Sequence, residues 1–231
     1  MKFSKTTPAD VFGVLTDVER KNAPAHLFLA GDSSLLQSGP RISVVGSRAA
    51  SAEGLKRAAF LSKSLVAHHM IVVSGLAAGI DTAAHRAAIE AGGRTIAVLG
   101  TALDRFYPEE NKALQALIME KHLAVSQFAA SSTTHRGQFP QRNRTMALLT
   151  DATIVVEAGE KSGTLHQAWE ALRLGRLLFL MESVANDASL TWPQEMIHYG
   201  AQVLSRSNLD ETLSGISEFT TYRQADLRDI A

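Results

Sequence analysis

Residues 70–100, MIVVSGLAAGIDTAAHRAAIEAGGRTIAVLG, contain a complete strand, loop, helix and strand. MIVV at 70–73 and TIAVL at 95–99 are apolar throughout, as expected of strands covered on both faces. Residues 79–91 between them carry helical periodicity. The same alternation continues in both directions. Further strands are expected at 42–45 (ISVV), 123–126 (LAVS), 153–157 (TIVVE), 177–180 (LLFL) and 202–204 (QVL), and further helices at about 52–68, 110–121, 141–150, 164–174 and 207–214. Repeated units of this kind imply an α/β protein with a doubly wound, mostly parallel sheet.

The core is expected over 41–215. Residues 1–40, broken by Pro8, Pro24, Gly31 and Pro40, read as an N-terminal extension packing on it, with one helix near 8–20. Residues 216–231 are polar and read as a C-terminal tail, either a short helix or a frayed end.

Composition narrows the function classes. The chain has 231 residues, 45% hydrophobic and 20% charged, as in ordinary soluble proteins. No run approaches the roughly 18–20 apolar residues of a membrane span, and the N-terminus lacks the apolar segment of a secretory signal. There are no cysteines, so neither a disulfide framework nor a thiolate metal site is expected, and the cytoplasm is the expected compartment. His68, His69, His122, His135 and His166 show no regular ligand spacing with carboxylates, so no metal is expected either. With 23 basic and 23 acidic side chains the overall field steers no polyanion, and any such affinity must come from a local patch. One exists: His135 to Thr150 contains no carboxylate but holds Arg136, Arg142 and Arg144.

Ligands of open parallel sheets bind outside the carboxyl ends of the strands, where loops lead into helix N-termini that favour anions. Four loops fit. VGSRAAS (45–51) offers Gly46 for close backbone approach, with Ser47 and Arg48 as donor and charge. SGLAAGIDTAAH (74–85) has glycines at 75 and 79 with small residues between. FPQRNR (139–144) and EAGEKSGTLHQA (157–168) complete the set. Glycine and serine also cap helices in any α/β protein, so each loop alone says little. Neither GxGxxG nor GxxxxGK[ST] is present, and no cofactor is expected. Asp81 reads as a helix cap and His85 as a packed inner-face residue. No GxSxG or linked Ser/His/Asp set points to catalysis. Positive side chains near a helix N-terminus are disfavoured, so Arg142 and Arg144 ask for an anionic partner, with phosphate the natural candidate. Asn143 is expected to hydrogen-bond the neighbouring loops, and Tyr107 and Phe139 to be core residues.

Taken in order, VVGSR (44–48), SGLAAGIDTAAH (74–85), TIAVLGTALDRFYPEEN (95–111), FPQRNR (139–144) and VVEAGEKSGTLHQA (155–168) resemble the DprA/Smf family of DNA-processing proteins over about 24–204. The resemblance implies a Rossmann-like core of the DprA/LOG superfamily whose positive pocket holds single-stranded DNA. It implies a homodimer and cooperation with the recombinase RecA during natural transformation, and with no catalytic set in the sequence no enzyme activity is expected. By position, Arg48, Arg142 and Arg144 become phosphate ligands. Gly46, Ser74, Gly75 and Gly79 shape the pocket, and Ser162, Gly163 and Thr164 close its rim. Ser47, Asn143 and Lys161 stand beside them. The chain departs from the pattern where the family's FAVPG turn reads FLMES (179–183).

Two alternatives stay open. LOG-type phosphoribohydrolases, which cleave nucleoside monophosphates, share the fold but use a glutamate three residues after the threonine of their glycine loop. Here that position is Gln167, and a neutral amide cannot act as a general base. The other alternative is a module that senses a free nucleotide.

Overall fold

The structure is a computed structural model and describes residues 3–229. Nine strands form one sheet: β1 (Ser4–Thr6), β2 (Leu27–Gly31), β3 (Arg41–Gly46), β4 (Ile71–Ser74), β5 (Thr95–Leu99), β6 (Leu123–Ser126), β7 (Ala152–Glu157), β8 (Leu177–Met181) and β9 (Gln202–Leu204). Their spatial order is β1-β2-β6-β5-β4-β3-β7-β8-β9. All neighbouring pairs from β6 to β9 are parallel, while β1 and β2 are antiparallel additions beside β6. The chain thus winds outward from β3 to β6, returns to β7 on the other side of β3, and winds out again. The switch point of this doubly wound fold lies between β3 and β7, where ligand crevices form.

The expected strands are all present, with β5, β6 and β9 at their expected bounds. β1 and β2 leave no sign in the sequence. β2 gains its register from β6, with Phe28 opposite Ser126 and Gly31 opposite Leu123, and so remote a pairing is invisible to local pattern. Instead of one helix near 8–20 the chain forms α1 (Pro8–Phe12) and α2 (Asp17–Asn22), each opened by a capping box, Thr7 with Asp10 and Thr16 with Glu19. Arg176, just before β8, donates to the buried Glu19 and ties α2 to the sheet.

The remaining helices are α3 (Ala52–Ala67), α4 (Ile80–Glu90), α5 (Lys112–Lys121), α6 (Gln138–Leu149), α7 (Thr164–Arg173), α8 (Glu182–Ala185), α9 (Trp192–His198) and α10 (Leu209–Asp229). α6 starts earlier than its pattern suggests because Pro140 falls in the first turn, where a missing N–H costs nothing. α10 runs through Gly215 well past the expected 214, because Leu209, Leu213, Ile216 and Thr220 recur at helical spacing and are all buried.

Strand side chains alternate between two cores. Ile42, Val44, Val72, Ile154 and Val156 face α3, α4 and α10, packing on Leu61, Ala84 and Leu213. Val45, Val73 and Val155 face the other way, toward Met146, Ala168, Trp192 and Met196 of α6, α7 and α9. With helices on both faces, the loops at the carboxyl ends of β3, β4 and β7 are left free to build a site.

Candidate nucleic-acid interface

These loops enclose an open cavity of about 710 Å³ at the switch point. Gly46, which ends β3, and Ser47 and Arg48 after it form one wall, Asn143 of α6 the opposite one, and Lys161, Ser162, Gly163 and Thr164 the rim. The loops are tied to one another. The Thr164 hydroxyl donates to Gly46 O (3.2 Å), and Asn143 Nδ2 donates to Gly163 O (3.2 Å). Asn143 therefore bonds the neighbouring loop, as its position suggests. Ser162 Oγ accepts from the Thr164 amide at the start of α7.

Ser74, Gly75 and Gly79 act from behind the wall. Ser74 is fully buried and its hydroxyl donates to Val44 O (2.7 Å). Gly79 has φ +76°, and a side chain there would strike Ser47 O and Arg48 O, so glycine lets the β3 and β4 loops touch. A Cβ on Gly75 would occupy the place of the Arg142 guanidinium.

The two arginines of FPQRNR separate. Residues two apart on a helix differ by about 200°, which turns Arg142 and Arg144 to opposite sides. Arg142 is 5% exposed; Nη1 donates to Gly75 O and to Val98 O (2.9 Å), and Nε to Asn143 Oδ1 (2.9 Å). It floors the cavity and clamps the ends of β4 and β5. Asp81, 6% exposed, is the acidic group that acts on it electrostatically. Burial raises the Asp81 carboxyl above its ordinary range, against the pull of Arg142 and of the Gly75 and Ala77 amides, which donate to Oδ2 at 3.1 and 3.2 Å. Burial likewise lowers Arg142. Arg144 is half exposed outside the cavity, its Nε bonded to Glu170 (3.2 Å), which also pairs with Arg173. It is not positioned as a ligand of this cavity.

The free charges sit on the rim. Arg48, Arg136 and Lys161 are exposed, line the cavity and form no ion pair among the described residues. In the sequence Arg136 stands out only as part of a carboxylate-free window. Tyr107 and Phe139 are not core residues. Tyr107 is 49% exposed, its ring 5.4 Å from that of Phe139, and the Arg48 guanidinium lies 5.4 Å over the Phe139 ring. Together they wall a smaller adjoining pocket of about 180 Å³. His85 is fully buried behind Asp81, bonded to Thr95 (2.7 Å), and burial lowers its pKa to about 3, so it is neutral. Gln167, 1% exposed, lies under the cavity between α6 and β7. Among the described residues no group of three or more His, Asp or Glu side chains could hold a metal, and no helix is long and apolar enough to cross a membrane.

A doubly wound α/β fold with a cationic, partly aromatic crevice at its switch point defines a Rossmann-like protein. The family model for DNA recombination-mediator protein A matches residues 9–216, and the chain belongs to that family, the one its motifs resemble. It is 41% identical over 184 residues to the DNA processing protein DprA of Streptococcus pneumoniae, covering 80% of this chain and 64% of that one, so it spans about three fifths of that relative's length. The crystal structure of the S. pneumoniae protein superposes with a TM-score of 0.75 at 38% identity, over 88% of this chain and 71% of that one. DNA processing protein A from Helicobacter pylori, described for its single-stranded DNA binding mode, superposes with a TM-score of 0.77 at 25% identity, over 93% and 95% of the two chains.

Proposed function

We propose that the cavity binds single-stranded DNA and that the chain serves DNA processing and recombination without catalysing a reaction. The observation that carries this reading is the set of three exposed cations, Arg48, Arg136 and Lys161, which form no ion pair among the described residues, around one open cavity beside an aromatic wall. Phosphates take the cations, and bases, each with a π-face, take the aromatics. The single-stranded DNA bound by the H. pylori relative supports it. RecA loading and a homodimer, implied by the family resemblance, belong to the same proposal.

The hydrolase alternative places an acid where Gln167 stands. A buried amide under the cavity can neither take a proton nor stabilise a developing positive charge. A free-nucleotide sensor differs in how binding scales with ligand length. The test is an anisotropy titration with single-stranded DNA, duplex DNA and nucleoside monophosphates at two salt concentrations. Single-stranded DNA should bind best, with affinity that rises with length and falls with salt. Arg48→Ala should lower the salt slope by about 0.7, because one phosphate fewer is neutralised. Saturation by a monophosphate, or release of free base, refutes the proposal.

A further inference from the structure

A second cavity opens on the side of the sheet covered by α3 and α10, and it shares no lining residue with the crevice at the switch point. Its volume is about 390 Å³, in the range of sites that hold small organic ligands. Leu61 of α3, Leu204 of β9 and Leu209 of α10 form its floor, all buried in one core, with Met181 of β8 packed against them. Glu182 and Ser183 also line it, standing where the FAVPG turn has proline and glycine. The one turn at which the chain departs from its family's pattern is therefore part of this cavity.

Above the floor stands a ring that the core leaves open. Phe60 of α3 is 45% exposed, and the Arg206 guanidinium lies 5.3 Å from its centroid. A lone surface aromatic needs no explanation, but here it walls an apolar cavity. Charge around the opening is unbalanced, since Lys56, Arg57 and Arg206 line it against one acid, Glu182. Lys56 meets only the exposed Glu53 (2.8 Å), a surface pair that stabilises little. Arg57 donates through Nη2 to Glu157 (3.3 Å), while its Nε is buried with no hydrogen-bond partner among the described residues. Arg206 forms no ion pair among them.

An apolar floor beside an aromatic wall suits a flat hydrocarbon ring, and a cationic rim suits an anionic head. We infer that this cavity is a ligand site for a small aromatic carboxylate, with the ring between Phe60 and the leucine floor and the carboxylate toward Arg57 and Arg206. A cation of the same shape meets repulsion at the rim, and a ringless anion leaves the floor uncovered. Burial of a ring of phenyl size raises affinity by about 10- to 100-fold. The site stands apart from the single-stranded DNA reading and does not depend on it.

The test is equilibrium dialysis of the full chain against 2-naphthoate, with 2-naphthylmethylamine as the charge-reversed control and acetate as the ringless one. Naphthoate should bind once per chain, the amine at least about 10-fold more weakly, and acetate not measurably. Phe60→Ala and Arg206→Glu should each weaken naphthoate by about 5-fold or more. Both side chains are exposed, so the thermal melt and the binding of single-stranded DNA should stay as in the unaltered chain. Arg48→Ala should leave naphthoate within about 2-fold, because Arg48 lines only the other crevice and its neighbour. Loss of naphthoate in Arg48→Ala puts the ring in the DNA crevice and overturns the inference. So does equal binding of acid and amine, undiminished binding by Phe60→Ala, or no binding by the unaltered chain. If an acidic peptide ending in phenylalanine displaces naphthoate at a far lower concentration than phenylacetate does, the occupant is a protein partner and the inference is wrong.

Discussion

Replacing Arg142 with methionine keeps most of the side-chain volume but removes the clamp on Gly75 O and Val98 O and the charge opposite Asp81. Leaving the two buried carbonyls without their donor and Asp81 without the opposing charge costs about 3–5 kcal/mol together. For a chain of this size that lowers Tm by roughly 6–20 °C. The loss should depend on pH. Burial already raises Asp81, and Arg142 is the first influence opposing it, so the variant's carboxyl rises further. A carboxyl raised in the folded state favours folding below its unfolded value near 3.8 and loses that contribution as pH rises through the folded value. The variant's deficit relative to the unaltered protein should therefore be largest near pH 7 and shrink as the pH falls toward about 4. Adding Asp81→Asn should recover part of it at neutral pH. Urea unfolding followed by circular dichroism measures all three. A deficit below about 1 kcal/mol, or one equal at both pH values, would show that Arg142 does not compensate a buried carboxylate.

His85 gives a second pH signature: lowered by burial from 6.5 to about 3, it supplies stability above pH 6.5 that is lost as pH falls toward 3, about 2 kcal/mol by pH 5. His85→Gln should flatten that slope in urea titrations, and equal slopes would sink the assignment. Gly75→Ala drives a methyl group into the Arg142 guanidinium and should cost about 1–3 kcal/mol, so an unchanged thermal melt would contradict the packing described. Arg144→Ala should leave binding of a cavity-sized oligonucleotide within about 2-fold, since its side chain pairs with Glu170 outside the cavity; a larger drop in anisotropy places it back in the site.

What could be read from the sequence follows from how local each feature is. The six strands from β3 to β8 announce themselves because burial on both faces makes them largely apolar, and that same run of βαβ units places the cavity. β2 depends on a partner some 95 residues away, β1 depends on β2, and neither leaves a local mark. Gly215 suggests an end to α10 that the buried stripe from Leu209 to Thr220 overrides. At the site, glycine loops and charges are legible as a set, but their division of labour is not. Arg142 and Arg144 look equivalent as letters, and only the helical turn sends one under the cavity and the other to Glu170. Phe139 and Tyr107 look like core because aromatics usually are, yet the loop after β5 and the start of α6 bring them to the surface as a wall.

The antiparallel seat of β2 against β6 sets a schedule on the ribosome. Leu27–Gly31 are made about 92 residues before Leu123, the first residue of the strand they pair with. At about 5–20 residues per second the strand LFLAG waits roughly 5–20 s with its hydrogen-bonding edge unpaired, the condition in which nascent strands find wrong partners. Nascent chains that stall between β2 and β6 therefore carry an apolar edge they cannot cover, and make a demand on holding chaperones that the finished protein does not.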